Sequence, residues 1–368
     1  MDGARASRGA PGGLTQRLMA HHEIHPLTSS DLAELGEFLI KGFHASLDAT
    51  FAAVDVLRWK YLDPRGAEAG DLPRSYLAKD RETGRIVGHV GICPGRFHGG
   101  GLPAEGVSTL HMIDWLTSEE GKGAGGLLMR RAHQSSDTQF GFGGSAAGRG
   151  VIDRGGYGLI AKVPVYHRVL RPSYRFRDPT HGLGGRVLRA AKDVVGMIGK
   201  PPISPRTRVE IRRVEKFGDE ILSILQAYEA RAVFTTRAPG LLNSFLGFPG
   251  GGVSGWQLLR DGILRGFAIL TIVPGPGGVK IGKIAECLLV DDDNTWHAAI
   301  VILTNELRSR SADIAVAFAA NKWTVRALAA SGYTRVHDLE FRLRDRAKKM
   351  PAGATFHLTP LEADYAYT

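Results

Sequence analysis

Residues 114–129 read Asp-Trp-Leu-Thr-Ser-Glu-Glu-Gly-Lys-Gly-Ala-Gly-Gly-Leu-Leu-Met. The apolar run Val107–Leu116 before them has the composition of a strand, and Leu127–His133 after them has that of a helix. Between the two, Gly121, Gly123, Gly125 and Gly126 fall within six residues. Glycines permit positive φ and close approach of a ligand to the backbone. The first amides of a helix lack intrahelical acceptors, and the positive end of its dipole lies beside them. Lys122 adds a charge. A strand feeding a helix through such a loop constrains the chain to a sheet with helices packed on it, and points to a phosphate or pyrophosphate ligand.

Two phosphate loops are tested by spacing. The ATP loop needs Gly-x4-Gly-Lys-Ser/Thr, and Lys122 is followed by Gly123, so it fails. The dinucleotide pattern Gly-x-Gly-x-x-Gly matches at Gly121, Gly123 and Gly126, but without an N-terminal βαβ unit or the acidic residue about 20 positions on.

Around the loop, the first half reads as strand, two helices, strands, glycine loop, helix, strand, helix and strand. Leu32, Leu35, Phe38, Leu39 and Phe43 have helical spacing, with a capping box expected from Thr28–Asp31 and Glu34. Val54–Leu62 is a second helix; Ser75–Lys79 and Ile86–Cys93 are strands, and Phe97–Gly106 a turn. Residues 171–208 hold nine Lys/Arg against two Asp/Glu, with five prolines, and read as a basic linker. Leu183–Ile198 within it is a basic amphipathic helix, read either as docked on its own protein or as lying on an anionic membrane. The second half repeats the element order, from a strand at Arg208–Val214 to a helix at Lys322–Ser331 ended by Gly332. The equivalent of its glycine loop is Asp291-Asp292-Asp293, read as an acidic helix cap rather than a metal site.

Gly121-Lys122-Gly123-Ala124-Gly125 after a strand resembles the acyl-CoA pyrophosphate loop of the GNAT acyltransferase superfamily, whose pattern is Arg/Gln-x-x-Gly-x-Gly/Ala. Gly123 and Gly125 match; Glu120 stands where Arg or Gln is usual. Trp59-Lys60-Tyr61 with Asp63-Pro64-Arg65-Gly66 looks like a signature of a tandem-GNAT branch linked to polysaccharide biosynthesis. Ile86-Val87-Gly88-His89-Val90-Gly91 resembles the GNAT strand pair. Gly155-Gly156-Tyr157 and Val163-Pro164-Val165-Tyr166 resemble its closing helix end and strand. The likeness covers roughly residues 24–170, and Asn321–Tyr333 resembles a second GNAT-like helix.

The resemblance implies an α+β fold of two tandem GNAT-like domains, each a mixed, mostly antiparallel sheet flanked by helices. The expected divisions are a disordered leader (1–22), a first domain (23–170), the linker (171–208), a degenerate second domain (209–345) and a C-terminal tail (346–368). It implies acetyl-CoA or another acyl-CoA as co-substrate. Trp115, Leu116 and Thr117 would pair with the pantetheine arm, and Gly121, Lys122, Gly123, Ala124, Gly125 and Gly126 would hold the pyrophosphate. The activity implied is direct N- or O-acyl transfer, with acetyl as the expected group, to a small-molecule, sugar or envelope-precursor acceptor.

That transfer needs a base, donors for the oxyanion and sometimes an acid for the thiolate. His111 and Asp114, three apart on a strand and so on opposite faces, are the candidate bases. The family's acid, a tyrosine on the closing helix, aligns with Ile152, and with Leu328 in the second half; Tyr157 or Tyr166 is the candidate substitute, though both are residues that more often pack. The departures at Glu120 and Ile152 leave an alternative, a catalytically inactive GNAT-like binding protein. A net charge of +10 favours anionic partners. Nucleic acid is not the expected one, because only Tyr174 and Phe176 interleave the basic run. Cys93 and Cys287 are too few for a disulfide scaffold, no Cys/His spacing suggests zinc, and residues 1–20 lack a signal-peptide core; a cytoplasmic location is expected.

Overall fold

A computed structural model describes residues 21–47, 49–65, 72–144, 146–177, 182–198, 205–362 and 366–367. The expected leader lies outside them except for its last two residues. The described residues cluster into two compact units. One runs to Pro64, resumes up to Cys93 and returns as Met112–Ser136; the other takes Pro94–His111 and the chain from Asp137 onward.

The first unit opens with β1 (His22–Pro26), paired antiparallel with β2 (Ser75–Asp80), which pairs antiparallel with β3 (Ile86–His98). Helices α1 (Leu32–Phe43) and α2 (Val54–Tyr61) lie between β1 and β2 in sequence. The spacing of Leu32, Leu35 and Leu39 does what it predicts: all three are buried, in a core with Leu57, Leu77 and Ile113. Each buried leucine contributes about 1.5–3 kcal/mol. The capping box before α1 differs from expectation. Thr28 and Asp31 form it, and Lys79 holds Asp31 at 2.6 Å. Glu34 instead accepts the Ile86 amide at 2.7 Å, tying the helix to β3.

Strands β3 and β4 (Val107–Thr117) contribute residues to both units. β3 is longer than the expected Ile86–Cys93, and the expected turn shrinks accordingly. Beyond Pro94, Phe97 is fully buried and His98 pairs with Phe234 of β8 (Phe234–Thr235). Helix α3 (Ala124–Ser135) starts earlier than its apolar residues suggest, directly after Gly123.

The second unit continues with β5 (Thr138–Phe142), α4 (Ala146–Arg154), β6 (Gly158–Val169), a 3-10 turn at Pro172–Phe176 and α5 (Leu183–Ile198). Then come β7 (Glu210–Val214), α6 (Leu222–Glu229), β8, α7 (Pro239–Leu246), β9 (Ser254–Arg260), β10 (Ile263–Pro274) and β11 (Lys280–Leu289). The last elements are α8 (Asp293–Ser309), β12 (Ile314–Phe318), α9 (Lys322–Ala330) and β13 (Thr334–Asp345). The order β2-β3-β4-α3-β5-α4-β6 recurs as β9-β10-β11-α8-β12-α9-β13. In both runs the third strand pairs parallel with the fourth. In both, the last helix stops at a left-handed glycine, Gly156 (φ 85°) or Gly332 (φ 76°). The next tyrosine amide then reaches back to Ile152 or Leu328.

The strand β13, absent from the sequence-based expectation, lies between β5 and β6. β6 in turn pairs with β12. The ladder is thus β5-β13-β6-β12, in which each run's last strand is inserted beside the other run's. Leu339, Phe341 and Leu343 of β13 alternate into a core with Phe97, Phe140, Val163 and Val165.

Residues beyond 345 are also more than a tail: Phe356, His357, Leu358 and Glu362 are buried. Arg237 donates to Glu286 at 2.5 Å and to Glu362. His357 bridges Glu286 (2.9 Å) and the Tyr228 hydroxyl (3.0 Å). Burial opposes the Glu286 charge, but Arg237 and His357 outweigh it and hold its carboxyl down at about 2. Arg237→Ala would strand two carboxylates in the core, so we expect it to lower the unfolding free energy by about 3–5 kcal/mol in a denaturant titration.

Candidate functional site

The glycine loop uses its glycines for different reasons. A Cβ on Gly121 would lie 2.4 Å from the Val87 carbonyl, so only glycine lets the loop close on β3. Gly123 caps α3 at φ 90°, a conformation that L side chains rarely adopt. Gly125 faces Thr117 and Trp115, with Cβ contacts of 3.2 and 3.4 Å; Gly126 faces open space. Within the loop, Ser118 donates its amide to Val87 and accepts that of Gly121, and Ala124 donates to Gly121. Among the described residues the amides of Lys122, Gly123 and Gly125 have no acceptor. Three free N–H groups at a helix start, beside an exposed lysine, form an anion cradle.

Glu120 is exposed, and its carboxyl is held below the usual range. Its own backbone amide and the Ser118 hydroxyl hydrogen-bond to it, with Lys41 and Arg85 in its field. Leu116 packs on Gly42 of α1, while Thr117 is exposed. The Trp115 indole N–H has no acceptor among the described residues and lies 3.6 Å from the Cβ position of Gly125.

β4 pairs with β5 only at Leu110↔Gln139 and His111↔Phe140. Three residues later, Asp114 adopts φ 48°, rare for a non-glycine residue inside a strand. Such positions persist only when their surroundings over-determine them. Lys60 and Tyr61, from the end of α2, both donate to Asp114 Oδ2 at 2.5 Å. His89 Nδ1 lies 2.9 Å from the Asp114 carbonyl, and His89 Nε2 lies 2.9 Å from Ser75 Oγ. Burial would raise the Asp114 pKa, but the Lys60 charge and the two hydrogen bonds prevail, and the carboxyl is lowered. Burial holds His89 at about 4, against the pull of Asp114. The imidazole is therefore neutral. Since a carbonyl can only accept, Nδ1 carries the proton and Nε2 accepts from Ser75.

The expectation that His111 and Asp114 take opposite faces by simple alternation does not hold, because the left-handed residue breaks it. His111 belongs to the second unit, where it is buried and its ring stacks on Phe140 at 4.5 Å. Tyr157 is buried there too, donating to Gln139 Oε1 at 2.6 Å, and burial raises its pKa far above the ordinary tyrosine range. In the second half, Asp292 accepts the Thr295 amide at 2.8 Å and Arg260 pairs with Asp291 and Asp292, so these acids cap α8 as expected.

Sequence reasoning did not assign roles to Lys60, Tyr61, Ser75 and His89. One signal was available: on α2, Lys60 shares a helical face with Val56 and Leu57, an apolar stripe in which a buried lysine requires a counter-charge.

The His89 environment predicts acid sensitivity. Its pKa is about 6.5 unfolded and about 4 folded, so its contribution is complete above pH 6.5 and is lost as pH falls towards 4. That loss is about 3 kcal/mol. In denaturant titrations from pH 7 to 4, His89→Gln should be less stable at pH 7 but show a correspondingly shallower decline.

No protein-family model and no curated protein matches the sequence. Solved structures do match. Saccharomyces cerevisiae N-myristoyltransferase with bound myristoyl-CoA superposes with a TM-score of 0.60 at 12% identity, covering 93% of this chain and 83% of that one. A GCN5-related N-acetyltransferase from Anabaena variabilis gives 0.56 at 12% identity, covering 88% and 72%. A conserved Enterococcus faecalis protein described as a probable N-acyltransferase gives 0.54 at 12% identity, covering 88% and 73%. The mixed sheet with its helices is the fold shared by these N-myristoyltransferase and GNAT structures.

Proposed function

We propose that this protein is an acyl-CoA-dependent N-acyltransferase. The observation that carries the reading is the cradle of free amides at Lys122, Gly123 and Gly125 at the start of α3, in a fold shared with a structure holding myristoyl-CoA. The pyrophosphate of acyl-CoA occupies that cradle, and the pantetheine arm lies along Trp115–Thr117. Asp114, at φ 48°, directly precedes these residues. The amine nitrogen of the acceptor attacks the thioester carbonyl carbon; the C–S bond breaks, and CoA leaves as the thiolate. Asp114 receives the amine proton: it is ionised, and its Oδ1 makes no hydrogen bond among the described residues. A small-molecule or sugar-precursor acceptor, and the arrangement as two GNAT-like halves, are parts of the same proposal. The first rests on the likeness at 59–66, the second on the repeated order of elements.

A binding protein without turnover is the second reading, favoured by Ile152 in place of the family's acid and by the enclosed Tyr157 hydroxyl.

Calorimetry with CoA, acetyl-CoA and myristoyl-CoA tests the cofactor and assigns the acyl length. A Cβ on Gly126 meets nothing within 4 Å, so Gly126→Glu adds a negative charge next to the cradle without a clash at Cβ. Affinity should fall about tenfold or more, and Lys122→Ala should weaken binding less. Absence of binding of all three by the wild type overturns the proposal. With an acceptor in hand, Asp114→Asn should lower kcat by about 10²–10⁴, compared at a pH and temperature where a denaturant titration shows the variant folded, because Asp114 is also the counter-charge of buried Lys60; undetectable turnover by the wild type despite acyl-CoA binding favours the second reading.

A further inference from the structure

Helix α5 is attached by the side that a surface helix ordinarily leaves in water. At roughly 100° per residue, Leu183, Val187, Leu188, Val194 and Val195 share one arc of its circumference. Arg186, Arg189, Lys192 and Asp193 occupy the other. A helix of this kind normally buries its apolar arc. Here the attachments belong to the polar arc and its margin. Arg175 donates to Asp193 at 2.8 Å, Arg186 donates to the Phe176 carbonyl at 3.0 Å, and Ala190 is buried. The apolar arc is left open: Leu183 is 72% exposed, Leu188 73%, Val195 69% and Val187 50%.

The charges beside that arc are of one sign. Asp193 is neutralised by Arg175. Arg189 and Lys192 are exposed and make no ion pair among the described residues. The partner must therefore accept an apolar ridge and be anionic at its surface. A second copy of the chain fits poorly, because two basic rims would repel. The ridge, about 24 Å long and about 10 Å wide, offers about 240 Å², against about 800 Å² per partner in a stable interface.

We propose that α5 is a membrane-docking element, lying in the surface of an anionic bilayer with its apolar arc among the acyl chains and Arg189 and Lys192 at the phosphates. The proposal stands independently of the acyltransferase reading. No helix among the described residues is long and apolar enough to cross a membrane, so this contact lies on the surface.

The test is co-sedimentation of the full chain with phosphatidylcholine vesicles with and without phosphatidylglycerol. The chain should bind the anionic vesicles, weaken as salt rises and bind phosphatidylcholine alone poorly. Leu188→Glu with Val195→Glu should reduce partitioning about tenfold or more. Both positions are solvent-exposed, and an unchanged near-UV spectrum would confirm the fold. Arg189→Glu with Lys192→Glu should abolish the preference for anionic lipid. No binding to anionic vesicles, or binding unchanged by the Leu188 and Val195 substitutions, overturns the proposal. So does a dimer in analytical ultracentrifugation that the same substitutions disperse, since a second copy would then cover the ridge.

Discussion

The first unit is organised around a single carboxylate. Asp114 is held by an ammonium and a phenol from the end of α2 and, through its backbone, by a neutral imidazole from β3. None of these groups is stable in the interior alone. A buried lysine needs a counter-charge, a left-handed aspartate needs restraint, and a buried histidine needs an acceptor for its proton. Each supplies what another lacks. Together they link α2, β2, β3 and β4 at the point where β4 turns towards the glycine loop.

The free donors of the glycine loop are backbone amides, and the sequence contributes to them mainly by omission. Gly121 leaves out a Cβ that would strike β3, and Gly123 leaves out one that would forbid the cap. Glu120, which stands where the GNAT pattern has Arg or Gln, is exposed, and its carboxyl is held below the usual range.

The sequence made legible what depends on neighbours along the chain. Leu32, Leu35 and Leu39 announced α1, and Asp292 capped α8. Glycine spacing pointed to the loop. What stayed hidden depends on partners far away in sequence. β13 is half charged, and only Phe97, Phe140 and Val165 in the fold reveal why Leu339, Phe341 and Leu343 alternate. His89 read as a strand residue within a resemblance; its role requires Ser75 on one side and Asp114 on the other. His111 and Tyr157 are residue types suited to proton transfer, but burial against Phe140 and Gln139 decides what they can do, and burial is not a property of the residue.

The ladder β5-β13-β6-β12 has a consequence for how such a molecule comes into being. β5 and β6 are separated by fewer than 20 residues, yet they never meet; β13 from the far end of the chain stands between them. A ribosome that has delivered residues up to 170 has therefore made a sheet with a missing central plank, whose exposed edge must be kept from other edges until residue 345 emerges. The two halves repeat one another in order, but neither can be finished first.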